Sequence, residues 1–206
     1  MSASKENIEI YNFKAVCLFK GYNVEKLKAE LDSVEKSSEW LERLKDIWHA
    51  IPLRSYHGGI TSQHVSHMGA NLYAPAKDFQ DTVWMNNHCP YLKEIIHSLG
   101  VEVFKIRLMK MQANSVLHSH IDNFPHSNIV RLHLAVRSDP RVTMTVEDRS
   151  WHIGEGELWF TNVKRMHSVQ NKSDIDRVHV VFDIAWSERL EQLFQQAKLD
   201  TESIIN

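Results

Sequence analysis

After Gly100 the chain reads as a succession of short β-rich runs, "VEVFKIRLMKM", "IVRLHLAV", "RVTMTVE", "GELWFTN" and "RVHVVFDIAW", divided by turn chemistry such as "SDP" and "IGEG". Strands this closely spaced leave no room for parallel crossovers, so they pair antiparallel and build a sandwich or barrel. That feature sets the architecture, and what precedes it is fitted around a β core.

Two of the runs say more. In "VRLHLAV" the period-2 alternation puts Val130, Leu132, Leu134 and Val136 on one face and Arg131 with His133 on the other. In "RVHVVFDI" it puts Val178, Val180, Phe182 and Ile184 on one face and Arg177, His179 and Asp183 opposite. If the polar faces line a barrel interior, the chamber is cationic and calls for an anionic ligand.

The first hundred residues are expected to hold an opening strand in "IEIYNFKAVCLF" and helices that flank the core. Asn23 caps a predicted helix with Val24, Leu27, Leu31 and Val34 at helical spacing. Ser38 is read as the cap of a second, carrying Trp40, Leu41, Leu44, Ile47 and Trp48 and stopped by Pro52. Residues 51 to 87 read as loops with short strands, and "PYLKEIIHSLG" as a short helix closed by Gly100. At the far end "SERLEQLFQQAKL" carries a stripe of Leu190, Leu193, Phe194 and Ala197 that is expected to pack outside the sheet. The 206 residues thus form one domain: flanking elements over 1–100, the β core over 101–186 and a C-terminal helix over 187–206.

Charge excludes some partners. A net charge of −2 with no sustained Lys/Arg run gives no footprint for nucleic acid or an anionic membrane. "MSASKENIEIY" lacks the basic start and apolar run of a signal peptide, so a cytoplasmic protein is expected. Cys17 and Cys89 are expected as buried thiols rather than a disulfide.

The chemistry concentrates in "HSHIDNFPH". An extended HxD puts two ligands on one side of the chain, and a distal His from another strand completes the 2-His-1-carboxylate face that holds Fe(II) with three positions open. The candidates are His120, Asp122 and His167, the last in "KRMHSV", with Arg177 ten residues further on. The open positions suit a bidentate 2-oxo acid and dioxygen, and Arg177 offers a fork of donors to the far carboxylate of that acid. His118 could instead pair with His120 as an HxH ligand set of the cupin kind, or lie on the substrate side. His126, Pro125 and Asn128 read as turn residues, while His57, His64, His67, His88 and His97 show no ligand spacing. Arg54 in "IPLRS" is the residue chosen to meet a substrate carboxylate, Trp159 and Phe160 are expected in the core or pocket wall, and Arg107 is left between an inward position and a surface ion pair.

With these residues in place, the sequence resembles the aspartyl/asparaginyl β-hydroxylase family, including the bacterial cis-proline hydroxylases. The resemblance runs from about Cys89 to Trp186, through "CPYLKEII", "IRLMKM", "HSHID", "VRLHLAV", "GELWF", "MHSV" and "RVHVVFDI", with "IPLRS" before it. It implies a double-stranded β-helix (jelly-roll) core with Fe(II) and 2-oxoglutarate, and hydroxylation of an unactivated C–H bond of an amino acid or amino-acid residue. It implies His120, Asp122 and His167 as iron ligands, Arg177 as the 2-oxoglutarate clamp, and Arg131 with His133 as further co-substrate contacts. Asp122 points to the branch with a complete triad. Thr161-Asn162 stands where members often carry Asp after the Phe, which leaves the support of the distal His different here.

The expectation is therefore an Fe(II)- and 2-oxoglutarate-dependent hydroxylase, with O2 as second co-substrate, acting on a small amino acid that is free or carrier-bound. Its rivals are a cupin-type metalloenzyme without 2-oxoglutarate and a β-barrel that binds a small anion without catalysis.

Overall fold

The computed structural model describes residues 12–65, 74–124, 128–198 and 204–206. The start of the expected opening strand, His67, Pro125 and His126 lie outside them. Among the described residues the strands form two sheets. The larger contains β1 (Ala15–Phe19), β2 (Leu41–Leu44), β3 (Trp48–Tyr56), β4 (Phe79–Asp81), β5 (Val103–Met111), β7 (Ile129–Arg137), β10 (Leu158–Thr161), β12 (Arg177–Ala185) and β13 (Ile204–Ile205). The smaller contains β6 (Ser115–His120), β8 (Val142–Val146), β9 (Arg149–Trp151) and β11 (His167–Asn171). Neighbours run β13-β1-β10-β7-β12-β5-β3-β2 in the first, with β4 on β3, and β6-β11-β8-β9 in the second. Each pairing is antiparallel.

The centre of the large sheet is β7-β12-β5, where the alternation read from the sequence holds. Val178, Val180, Phe182 and Ile184 join Val130, Leu132, Leu134, Ile106 and Leu108 in one apolar cluster. Helices cover it, among them α1 (Val24–Ser37) with Leu27, Leu31 and Val34, a helix over Pro90–Leu99 with Leu92, Ile95 and Leu99, and one over Glu188–Ala197 with Leu190 and Phe194. Full burial of such side chains contributes about 1.5–3 kcal/mol each, which fixes the outer face of the sheet. The helix ends follow from sequence. Asn23 accepts from the Lys26 amide at 3.0 Å, Ser187 accepts from the Leu190 amide, and Gly100 closes its helix at φ 63°. The other face of the sheet turns toward the small one, and the site lies between them.

One expected element is corrected. Residues 38–51 form no helix; Leu41–Leu44 and Trp48–Tyr56 are the two arms of an antiparallel hairpin, turned at Asp46 with φ 55°. The apolar residues that mimic a helical stripe are claimed instead by β5, which pairs with Trp48 through Arg54. A long-range ladder outweighs a local preference of a few tenths of a kcal/mol per residue.

Candidate metal centre

β6 and β11 are neighbours in register, with His120 directly opposite His167. Beyond the end of β6, the Asp122 amide donates to the Val163 carbonyl at 2.9 Å, which brings the carboxylate back beside the two rings. The ligand atoms of His120, Asp122 and His167 lie within 4.8 Å of one another, and His120 Nε2 is 3.7 Å from Asp122 Oδ1. His120 is on the rim, Asp122 is half-buried and His167 is buried.

The tautomers are fixed by backbone. A carbonyl oxygen only accepts, so His120 Nδ1 must donate to the His118 carbonyl at 2.7 Å and His167 Nδ1 to the Arg165 carbonyl at 3.0 Å. Both Nε2 lone pairs are then left for an ion, the arrangement in which a second partner orients a ligating imidazole. Burial lowers the pKa of His167, which favours the neutral ring that a metal needs. His167 is thus steadied by a backbone carbonyl, and Thr161 and Asn162 are buried with the Asn162 side chain donating to the Phe13 carbonyl. His118 remains exposed, outside the ligand cluster, and offers its carbonyl rather than its ring.

A chain of charges anchors the Asp122 carboxylate. Arg131 Nη1 donates to Asp122 and its Nε to Asp183 at 2.7 Å; Arg107 Nη2 donates to the other Asp183 oxygen at 2.7 Å. Arg107 is wholly buried and points inward, which answers the question the sequence left open. Burial brings Arg107 down to about 10 against the pull of Asp183, and in Arg131 the Asp183 and Asp122 carboxylates outweigh burial and raise it.

Arg177 stands apart from that chain. It is 1% exposed, donates to His179 Nδ1, lies over the Trp48 ring at 5.5 Å, and its Nε and Nη1 are buried with no hydrogen-bond partner. Burial alone pushes it down to about 9, so it still holds its proton at neutral pH. His133 neighbours His179 edge to face, and both of its nitrogens are buried without partners. Burial, with Arg177 beside them, holds both histidines well below the ordinary range, hence neutral. A buried guanidinium without a carboxylate is costly unless an anion completes it.

These groups surround a cavity of 180 Å3, roughly six waters' worth of liquid. His120, Asp122, His167, Arg131, His133 and Arg107 line it, together with Trp48 and Arg43. A larger cleft of 580 Å3 shares none of its lining. It contains Arg54, the residue chosen from the sequence to meet a substrate carboxylate, whose Nη1 is bound to Asp81 at 2.8 Å and whose Nε is bound to the Val103 carbonyl. The structure thus brings together the triad, Arg131 and His133, sets Arg177 on the same inner face two residues from His179, and leaves Arg54 elsewhere. Sequence reasoning missed Arg43, hidden in the misread helix, and the link between Asp183 and Arg107; the alternation Lys105, Arg107, Met109 in β5 carried the second signal.

Comparison with known proteins follows this geometry. The family model described as Aspartyl/Asparaginyl beta-hydroxylase matches residues 21–186. The chain is similar to an L-proline cis-4-hydroxylase of Rhizobium meliloti (strain 1021), 27% identical over 157 residues, covering 74% of this chain and 53% of the relative. It is likewise similar to an L-proline cis-3-hydroxylase of Streptomyces sp, 27% identical over 166 residues, at 77% and 53%. The chain spans about half the length of the curated relatives it matches. Among solved structures it resembles HygX from Streptomyces hygroscopicus, crystallised with nickel and 2-oxoglutarate, at TM-score 0.55 and 9% identity over 88% of this chain and 87% of that one. The two-sheet architecture is that of the double-stranded β-helix.

Proposed function

The chain belongs to the aspartyl/asparaginyl β-hydroxylase family, and from that premise we propose that it is an Fe(II)- and 2-oxoglutarate-dependent dioxygenase that hydroxylates a C–H bond of a small amino acid. The observation that carries this reading is Arg177: a fully buried guanidinium, with no carboxylate partner among the described residues, on the inner face next to a chamber lined by two Nε2-presenting histidines and an aspartate. His120, Asp122 and His167 would hold the metal. Arg177 would take the far carboxylate of 2-oxoglutarate, with His133 and His179 as neutral neighbours that have unused nitrogens. When bound, iron supplies the site at which O2 oxidatively decarboxylates 2-oxoglutarate to succinate and CO2 while one oxygen atom enters the substrate C–H bond.

The chain's own residues perform the rest. Arg131 holds one oxygen of Asp122 and is itself held by Asp183, so the carboxylate ligand keeps one orientation. The carbonyls of His118 and Arg165 fix both rings. Leu117, Met109, Met144, Val163, Val169 and Val181 make the remaining wall apolar, which keeps bulk water from the reacting atoms. No helix among the described residues is long and apolar enough to cross a membrane, and Cys17 and Cys89 are buried thiols. The proposal sets the protein in the cytoplasm, where such thiols stay reduced.

The test is anaerobic addition of Fe(II) and then 2-oxoglutarate to the protein, followed by admission of oxygen. A visible charge-transfer band that needs both components, then oxygen-dependent succinate, is the expected result. Folded protein that gives no band would refute the reading.

A further inference from the structure

The hairpin that replaces the expected helix carries a side chain with no assigned task. Between the pairs Glu42↔His49 and Leu44↔Trp48 the register shifts, so Arg43 is the extra residue of a β-bulge on an edge strand. Bulges re-aim a side chain, and they recur beside active sites for that reason. Here the bulge turns Arg43 into the cavity that holds His120 and Asp122. Its Nε is buried there with no hydrogen-bond partner.

We propose that Arg43 receives the free carboxylate of the substrate, so that the site takes a small amino acid as the free acid and not as an ester, amide or carrier-bound thioester. This rests on the dioxygenase reading and adds to it the recognition of the substrate. Three observations support it. First, the nearby acids are already engaged: Asp122 by Arg131, and Asp183 by Arg131 and Arg107. Arg43 lines the same cavity, and its Nε is buried there with no hydrogen-bond partner among the described residues, which leaves it for an anion from outside.

Second, the cationic groups fall into two places. Arg177 sits with His133 and His179, whereas Arg43 interacts electrostatically with Arg131 and Asp122, and with Arg107 and Lys105. A 2-oxoglutarate whose far carboxylate rests on Arg177 therefore leaves Arg43 for a second anion. Third, Arg54 is held in the other cleft by Asp81 and the Val103 carbonyl and is not at hand. A guanidinium is suited to the task because its planar fork binds both carboxylate oxygens. An amide or thioester in that place offers one weak acceptor and no charge.

The experiment uses the protein loaded with Fe(II) and 2-oxoglutarate, and a panel of free proteinogenic amino acids and L-pipecolate, each with its primary amide. Binding is read anaerobically as a shift of the charge-transfer band, and turnover as succinate released above the substrate-free rate. Wild type should favour acid over amide by about 10- to 150-fold, the range for hydrogen bonds to a charged partner. Arg43→Gln should bring that ratio close to one, and Arg43→Lys should restore part of it. The 2-oxoglutarate dissociation constant, from titration of the band, should be the same in all three. The proposal is overturned if Arg43→Gln keeps the preference, if wild type takes amide and acid alike, or if Arg43→Gln weakens 2-oxoglutarate in step with substrate. A band that forms but responds to no panel member overturns the free-acid class and leaves the dioxygenase reading intact. No band at all removes that reading, and this one with it.

Discussion

Removing the Arg177 charge should make the ligand-free protein more stable and deprive it of its co-substrate. The guanidinium is 1% exposed, its polar contact is the His179 ring, and its Nε and Nη1 have no partner. Burial drives it down to about 9. From the ordinary arginine range, a displacement of that size corresponds to about 5 kcal/mol of disfavour for the charged form. Local relaxation and the stacking on Trp48 recover part of that, and methionine loses the hydrogen bond to His179 while keeping most of the apolar contact. Arg177→Met should therefore gain about 1–3 kcal/mol in urea denaturation without metal or 2-oxoglutarate. With Mn(II) present, 2-oxoglutarate at a hundred times its dissociation constant should stabilise wild type by about 2.7 kcal/mol and the variant hardly at all. A variant less stable than wild type in the ligand-free state would show that the structure already satisfies this charge. A variant still stabilised by 2-oxoglutarate would move the clamp to another residue.

Three further outcomes follow from the same geometry. His118→Ala should retain iron and the charge-transfer band, whereas Asp122→Ala should lose iron measured by metal analysis; the reverse pattern would restore an HxH ligand set. Asp183→Asn leaves Arg107 and Arg131 sharing a neutral amide, and should cost about 3–5 kcal/mol by chemical denaturation, the usual result of breaking a buried pair from one side. Lys105, which burial and Arg107 bring down to about 8, releases its proton in the folded state while the unfolded chain holds it to about 10.4. The unfolded state then binds more protons between those values, so stability should rise with pH from about 8 to 10. The wild-type curve minus that of Lys105→Met should show that rise, and a flat difference would refute it.

What was legible in the sequence was whatever a period of two could carry. β7 and β12 announced both faces, because a strand buried on one side by helices and on the other by a chamber must alternate apolar with functional residues. The triad was legible because two of its members sit two residues apart on extended chain. Residues 38–48 were not, since Trp40, Leu41, Leu44 and Trp48 fit a helical stripe as well as they fit a hairpin, and only the pairing of Trp48 with Met111 decides between them. Arg43 was lost with that misreading, and a bulge has no sequence signal of its own here. Arg54 drew attention through its motif, but its partner Asp81 lies 27 residues away and no local pattern links the two. The bonds of Arg131 to Asp122 and Asp183 span 9 and 52 residues, and the longer of them is set by strand order alone.

β12 is buried along its whole length, apolar residues outward and Arg177, His179 and Asp183 inward. A slip of one residue during folding would exchange the faces and drive an arginine, an imidazole and an aspartate into the hydrocarbon beneath the helices. Each ionised group stranded there would cost several kcal/mol, so the misaligned pairing could not persist. The inward charged and polar residues of β12 thus act during folding as alignment marks, and a neutral variant at any of them should be judged for loss of folding fidelity as well as for loss of turnover.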